Sequence, residues 1–109
     1  MALFDDFWDA LKPALSQYAQ TNWAPYQAAA SSDASAYLQS AREDLQNWTA
    51  AVKKGLIQES DLKELLAEKE DLATLVALKQ LGLEEVALAR FIDGLQNVVV
   101  STAETFFRV

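Results

Sequence analysis

A chain of 109 residues with 51% hydrophobic and 23% charged residues has the composition of one globular domain rather than of a disordered segment. It contains no cysteine and no histidine, which excludes disulfides, thiolate or imidazole metal ligands and imidazole acid–base catalysis. Sixteen acidic against nine basic residues give a net charge of -7, which disfavours binding to nucleic acid and to anionic membranes.

The first predicted element is an amphipathic helix over residues 4 to 21. Its apolar side chains recur at three- and four-residue spacing, as one face of an α-helix requires. They are Phe4, Phe7, Trp8, Leu11, Leu15 and Tyr18. Pro13 lies inside this pattern, but the stripe keeps its phase from Leu11 to Leu15 and Pro13 faces away from it. The sequence therefore predicts a helix that is kinked at Pro13 and not broken there.

The second helix has two candidate starts and one clear end. It begins either near Pro25, which suits the first turn of a helix, or near Asp33, which is a good N-cap residue. Lys53 and Lys54 in the last turn, followed by Gly55, are a typical stop signal. The apolar stripe between these ends is Leu38, Ala41, Leu45, Trp48 and Val52.

The segment Trp23-Ala24-Pro25-Tyr26 between the first two helices is typical of a turn. Exposed aromatic residues on a loop favour a recognition role, so Trp23 and Tyr26 are candidate recognition residues. The alternative is that both side chains pack over the end of the bundle.

A third helix is expected from Ser60, a good N-cap residue, to Gly82, which would end it. The fourth opens at Glu84 and Glu85, whose charges suit the positive end of a helix dipole. A link as short as Gly82-Leu83 favours antiparallel neighbours. The predicted stripes are Leu62, Leu65, Leu66, Leu72, Ala73 and Val76 in the third helix, and Leu88, Phe91, Ile92, Leu95, Val98, Val99, Ala103 and Phe106 in the fourth.

Four helices of similar length with mostly short links predict an all-α fold in a single domain spanning residues 1–109. The expected arrangement is an antiparallel four-helix bundle in up-down-up-down order. The N-terminal Met1-Ala2-Leu3-Phe4-Asp5-Asp6 has acids where a signal peptide carries cations, so we expect a cytoplasmic protein.

The third helix carries many carboxylates, which we interpret as a solvated acidic face with Glu59 and Lys63 paired four residues apart. The acids are Glu59, Asp61, Glu64, Glu68, Glu70 and Asp71. Di-iron bundles use Glu-x-x-His pairs and calcium loops need oxygen ligands around a glycine, and neither pattern occurs here. We therefore expect no catalytic residue, no cofactor and no metal, and hence no enzymatic activity.

Five large apolar residues fall outside the predicted core stripes of the last two helices. They are Leu75, Leu78, Val86, Val100 and Phe107. Apolar side chains off the core stripe favour contact with a partner. We therefore predict a non-enzymatic interaction protein that self-associates, as a homodimer, through its last two helices, or binds another protein. The alternative is an amphipathic coat or carrier protein that binds an apolar surface or a lipid-like ligand.

Overall fold

The computed structural model describes residues 3–58, 60–68 and 75–107, apart from the side chain of Leu3. Within these ranges the chain is helical and contains no strand, which confirms the predicted all-α class. The α-helices are α1 (Leu3–Asn22), α2 (Gln27–Lys53), α3 (Asp61–Ala67), α4 (Val76–Gln80) and α5 (Glu85–Phe107), with a 3-10 turn over Ala24–Tyr26. None of these helices is long and apolar enough to cross a membrane.

The three long helices α1, α2 and α5 pack against one another and enclose the core. Their inward side chains belong largely to the predicted stripes, because three- and four-residue spacing keeps them on one face of each helix. Phe7, Leu11, Leu45, Ile92 and Leu95 are completely buried. Burial of one such side chain stabilises the fold by roughly 1.5 to 3 kcal/mol, so these helices supply most of the stability.

Helix α1 continues through Pro13 as far as Asn22, so the predicted absence of a break is confirmed. Pro13 is exposed to solvent. A proline has no N–H to offer the carbonyl four residues earlier, but water can satisfy that carbonyl at the helix surface.

The second helix begins near Pro25 and not at Asp33. Pro25 lies within the 3-10 turn, which leads directly into α2 at Gln27. The fixed φ of proline suits such a first turn. Asp33 therefore lies inside α2, and its carboxylate caps α4 instead of the start of α2.

The prediction of one continuous third helix is wrong. Helix α3 ends at Ala67, and Leu75 has φ -90° and ψ 55°, outside the helical region. Residues 69–74, which carry the predicted stripe positions Leu72 and Ala73, lie outside the described residues. Helix α3 packs against α5, whereas α4 packs against α2. Gly82 ends α4 with φ 90°, a left-handed conformation that suits glycine, as predicted.

The side chain of Asp33 caps α4 from another helix. Its Oδ1 accepts a hydrogen bond from the N–H of Ala77 at 3.1 Å, and its Oδ2 accepts one from the N–H of Leu78 at 2.7 Å. The first N–H groups of a helix have no partner within it, and a negative charge suits that end. Asp33 is buried, as are Leu75 and Leu78. The carboxylate thus fixes α4 on α2.

We expect Asp33→Ala to lower the free energy of unfolding by about 1 to 3 kcal/mol, because two N–H groups of α4 lose their acceptor. Denaturant titration measures this change, and hydrogen exchange at Ala77 and Leu78 locates it. Ser32→Ala, at an exposed neighbouring position, is the control and should leave both unchanged. Unaltered amide exchange in α4 of Asp33→Ala would contradict the capping role.

Candidate functional site

The five residues predicted to form an interface do not share one surface. Leu75, Leu78 and Phe107 are buried in the core, Val100 is half-buried against it, and Val86 is 70% exposed. The expectation that all five lie off the core is therefore wrong for Leu75, Leu78 and Phe107.

Two packing arrangements explain why those three side chains are buried. Helix α4 lies against α2, which places Leu75 and Leu78 in the core. At the end of α5, the ring of Phe107 packs edge-on against Phe7, with the centroids 5.3 Å apart. Helix α1 thus covers Phe107, which lies outside the core stripe predicted for the last helix.

A different set of apolar side chains is exposed where α4 meets α5. Val76 is 55% exposed, Leu81 is 56% exposed, and together with Val86 they form what we call the α4–α5 corner. The sequence interpretation placed Val76 in the core and overlooked Leu81. An apolar residue immediately before the helix-ending Gly82 was the available signal. Leu56 is also exposed, but it lies just after the C-terminal end of α2 and does not belong to the α4–α5 corner.

Trp23, one of the two candidate recognition residues, packs at the junction of α1 and α5. Its indole N–H donates a hydrogen bond to the Tyr18 hydroxyl at 2.9 Å, and its ring meets that of Phe91 edge-on at 5.4 Å. This geometry favours the alternative in which the residue packs over the end of the bundle. Tyr26, the other candidate, is exposed.

Tyr18 joins α1 to α5 at this junction. Its hydroxyl donates to the backbone oxygen of Phe91 at 2.9 Å. The phenol lies over Gly94, where an added Cβ would be 2.8 Å from the Tyr18 Cζ atom and would overlap the hydroxyl. The absence of a side chain at Gly94 therefore lets the two helices approach closely.

Burial raises the pKa of Tyr18 above its ordinary value of 10.0 because it disfavours the phenolate. The hydrogen bond from Trp23 acts in the opposite direction, and the nearby negative charge of Asp93 adds to the increase. The hydroxyl is therefore a structural donor at neutral pH.

Gln96 is a second buried polar side chain that the sequence interpretation missed. Its Nε2 donates to the hydroxyl of Tyr37 at 2.9 Å and to the backbone oxygen of Leu66 at 2.8 Å. It thereby links α5 to α2 and to the last turn of α3. Every buried side-chain nitrogen and oxygen in the described part of the chain has a hydrogen-bond partner.

The acidic residues do not form a metal centre within the described ranges, since no group of three or more potential ligands comes together there. Lys63 pairs with the carboxylate of Asp93 on α5 at 2.8 Å. The predicted pairing of Lys63 with Glu59 concerns a residue outside the described ranges.

Comparison of the chain with protein-family models, with curated proteins and with solved structures gave no match.

We expect Gly94→Ala to lower the free energy of unfolding by about 1 to 2 kcal/mol. Overlap with the Tyr18 ring outweighs the gain of about 1 kcal/mol in helix propensity, because the ring is held by two hydrogen bonds. Asn97→Ala, at an exposed site on the same helix, is the control and should be neutral or slightly stabilising. Denaturant titration decides, and a stabilised Gly94→Ala variant would contradict the close approach.

We expect the stability of the protein to fall above about pH 10 in part through Tyr18. Because the pKa of Tyr18 is higher in the folded protein, the unfolded chain loses the phenolic proton first as the pH rises. Deprotonation therefore favours the unfolded state, and the free energy of unfolding falls as the pH rises from the unfolded to the folded pKa. Tyr18→Phe should show a shallower decline in unfolding free energy between pH 9 and pH 11 than the wild type. Tyr26→Phe is the matched control, and an equal slope in all three proteins would refute the assignment.

Proposed function

We propose that the protein is a non-enzymatic helical interaction protein that self-associates through the α4–α5 corner. The observation that carries this proposal is the exposure of Val76, Leu81 and Val86 by more than half within one short segment. Large aliphatic side chains left exposed within a few turns of chain favour contact with a partner. The proposed interface shares Val86 with the set predicted from the sequence, while Val76 and Leu81 stand in place of the other four residues.

The charges beside the corner support a second copy of the chain as the partner. Lys79 is exposed on α4, and Glu84 and Glu85 are exposed at the start of α5. In a two-fold interface each residue of one subunit can meet a different residue of the other. A surface that carries both signs of charge can therefore pair with itself without leaving like charges opposed.

The expected association is weak. Three side chains are a small part of the roughly 1,200 to 2,000 Å² that a stable complex buries. A dissociation constant of about 10 to 100 μM fits such an interface.

The same proposal includes a single domain and a cytoplasmic location. It also includes an antiparallel order of helices, in which α3 and α4 take the place of the predicted third helix, and a bend of α1 at Pro13.

A non-enzymatic role is supported by the polar groups of the described residues. Their buried side-chain polar atoms are occupied in hydrogen bonds that hold helices together. The carboxylate of Asp33, which is buried, is engaged by two backbone N–H groups of α4. General acid–base chemistry needs a polar group within reach of a substrate, and these groups are committed to the fold.

The test is the oligomeric state of the wild type and of the double variant Leu81→Glu with Val86→Glu. We expect a dimer at about 500 μM in the wild type and folded monomers in the variant, because a charge is forced into an apolar contact. Sedimentation velocity over a concentration series measures both.

Leu56→Glu is the control, since Leu56 is an exposed leucine outside the corner, and this variant should dimerise like the wild type. Substitution of Leu78 is unsuitable because Leu78 belongs to the core. A wild type that stays monomeric at about 500 μM, or a dimer that only Leu56→Glu disrupts, would contradict the proposal.

A further inference from the structure

A groove of about 130 Å³ lies between α1 and α2, and none of its lining residues belongs to the α4–α5 corner. Its floor is apolar and consists of Leu15, Ala34 and Leu38, all of which are buried. The groove exists because α2 presents Ser31, Ala34 and Ser35 here, side chains too small to fill the space beside Leu15. This volume is below the roughly 300 to 1,000 Å³ of sites for drug-sized ligands, so the groove suits a small molecule that covers its floor without being enclosed.

The polar residues that line the groove are Lys12, Ser16, Ser31 and Ser35. Lys12 has a weak partner, the carboxylate of Asp9 at 3.9 Å, and both side chains are exposed. An exposed pair at that distance contributes little. The ammonium group of Lys12 is therefore available to pair with another anion.

The serine hydroxyls of the groove differ from hydroxyls elsewhere on α2. Ser40 and Thr49 donate hydrogen bonds to backbone oxygens of the preceding turn, at 2.6 and 2.7 Å. The hydroxyls of Ser16, Ser31 and Ser35 make no such bond to another described residue. Three free donors thus surround the apolar floor beside one cation.

Arg42, the next cation along the α1–α2 contact, is engaged elsewhere. Its guanidinium lies over the rings of Trp8 and Phe4, 4.9 and 5.6 Å from their centroids. Such cation–π contacts orient the charge toward the aromatic faces. Among these two cations, Lys12 is the one that borders the groove.

We propose that this groove binds a small aliphatic carboxylate, such as a medium-chain fatty acid anion. The hydrocarbon chain lies on Leu15, Ala34 and Leu38, and the carboxylate meets the ammonium of Lys12 and the serine hydroxyls. Carboxylates accept charge-assisted hydrogen bonds from such donors. This site is independent of the self-association proposed above, although it gives a concrete form to the carrier alternative.

Octanoate is the probe, titrated into the protein by isothermal titration calorimetry. We expect saturable binding to one site with a dissociation constant at or below about 1 mM, as suits a ligand of this size. Octanol, which lacks the charge, should bind several-fold more weakly. Methyl NMR shifts of Leu15 and Leu38 should follow the same titration curve.

Two variants test the groove and its charge separately. Ser35→Leu fills the groove and should weaken octanoate binding more than tenfold, whereas Ser32→Leu, at an exposed site outside the groove on the same helix, should bind normally. Lys12→Gln should weaken binding about two- to fivefold, the range for an exposed ion pair. Lys53→Gln is its control and should have no effect.

Circular dichroism verifies that each variant is folded, and the exposed positions of Ser35 and Lys12 favour this. The proposal is overturned if the wild type shows no saturable binding of octanoate. It is also overturned if Ser35→Leu binds as the wild type does, or if octanol binds equally well and Lys12→Gln has no effect.

Discussion

The carboxylate of Asp33 determines the position of α4, and with it the boundary between core and surface in the second half of the protein. A helix of five residues has too few internal hydrogen bonds to be stable alone. The N–H groups of Ala77 and Leu78 in its first turn donate hydrogen bonds to the buried carboxylate of Asp33, which holds the helix on α2. Leu75 and Leu78 enter the core as a consequence, and Val76 is left at the surface.

Helix α3 depends on α5 in a comparable way. Gln96 donates to the backbone oxygen of Leu66 from within the core, and Lys63 pairs with Asp93 at the surface. The buried bond matters more, because an unmade hydrogen bond in the interior leaves a polar group without water. Each short helix is thus fixed by a polar side chain that belongs to a long one.

The sequence predicted those parts of the fold in which periodicity alone decides the outcome. The stripes of α1 and α5, the continuity of α1 through Pro13 and the stops at Gly55 and Gly82 follow from local spacing and backbone preference. These features need no knowledge of the neighbouring elements.

The non-helical conformation of Leu75 could not be predicted in the same way, since the sequence around it keeps a helical pattern, whereas in the structure α4 packs against α2. Asp33 is one of the two candidate starts of the second helix because its side chain suits an N-cap. It does cap a helix, but through Ala77, which is 44 residues further along the chain. The candidate interface was wrong at Leu75 and Leu78 for the same reason, whereas Phe107 is buried by Phe7 of α1. Which face of α4 is covered depends on a long-range hydrogen bond.

The pairing of the first helix with the last has a consequence for folding during synthesis. Phe7 packs against Phe106 and Phe107, and Tyr18 reaches the backbone of Phe91. Contacts between residues so far apart in sequence form only after a large loop has closed. While the ribosome is still making α5, the part of α1 that packs against α5 is uncovered, even though α2 can already contact α1. During that interval the growing chain exposes apolar surface that the folded protein buries, and such surface favours misassembly.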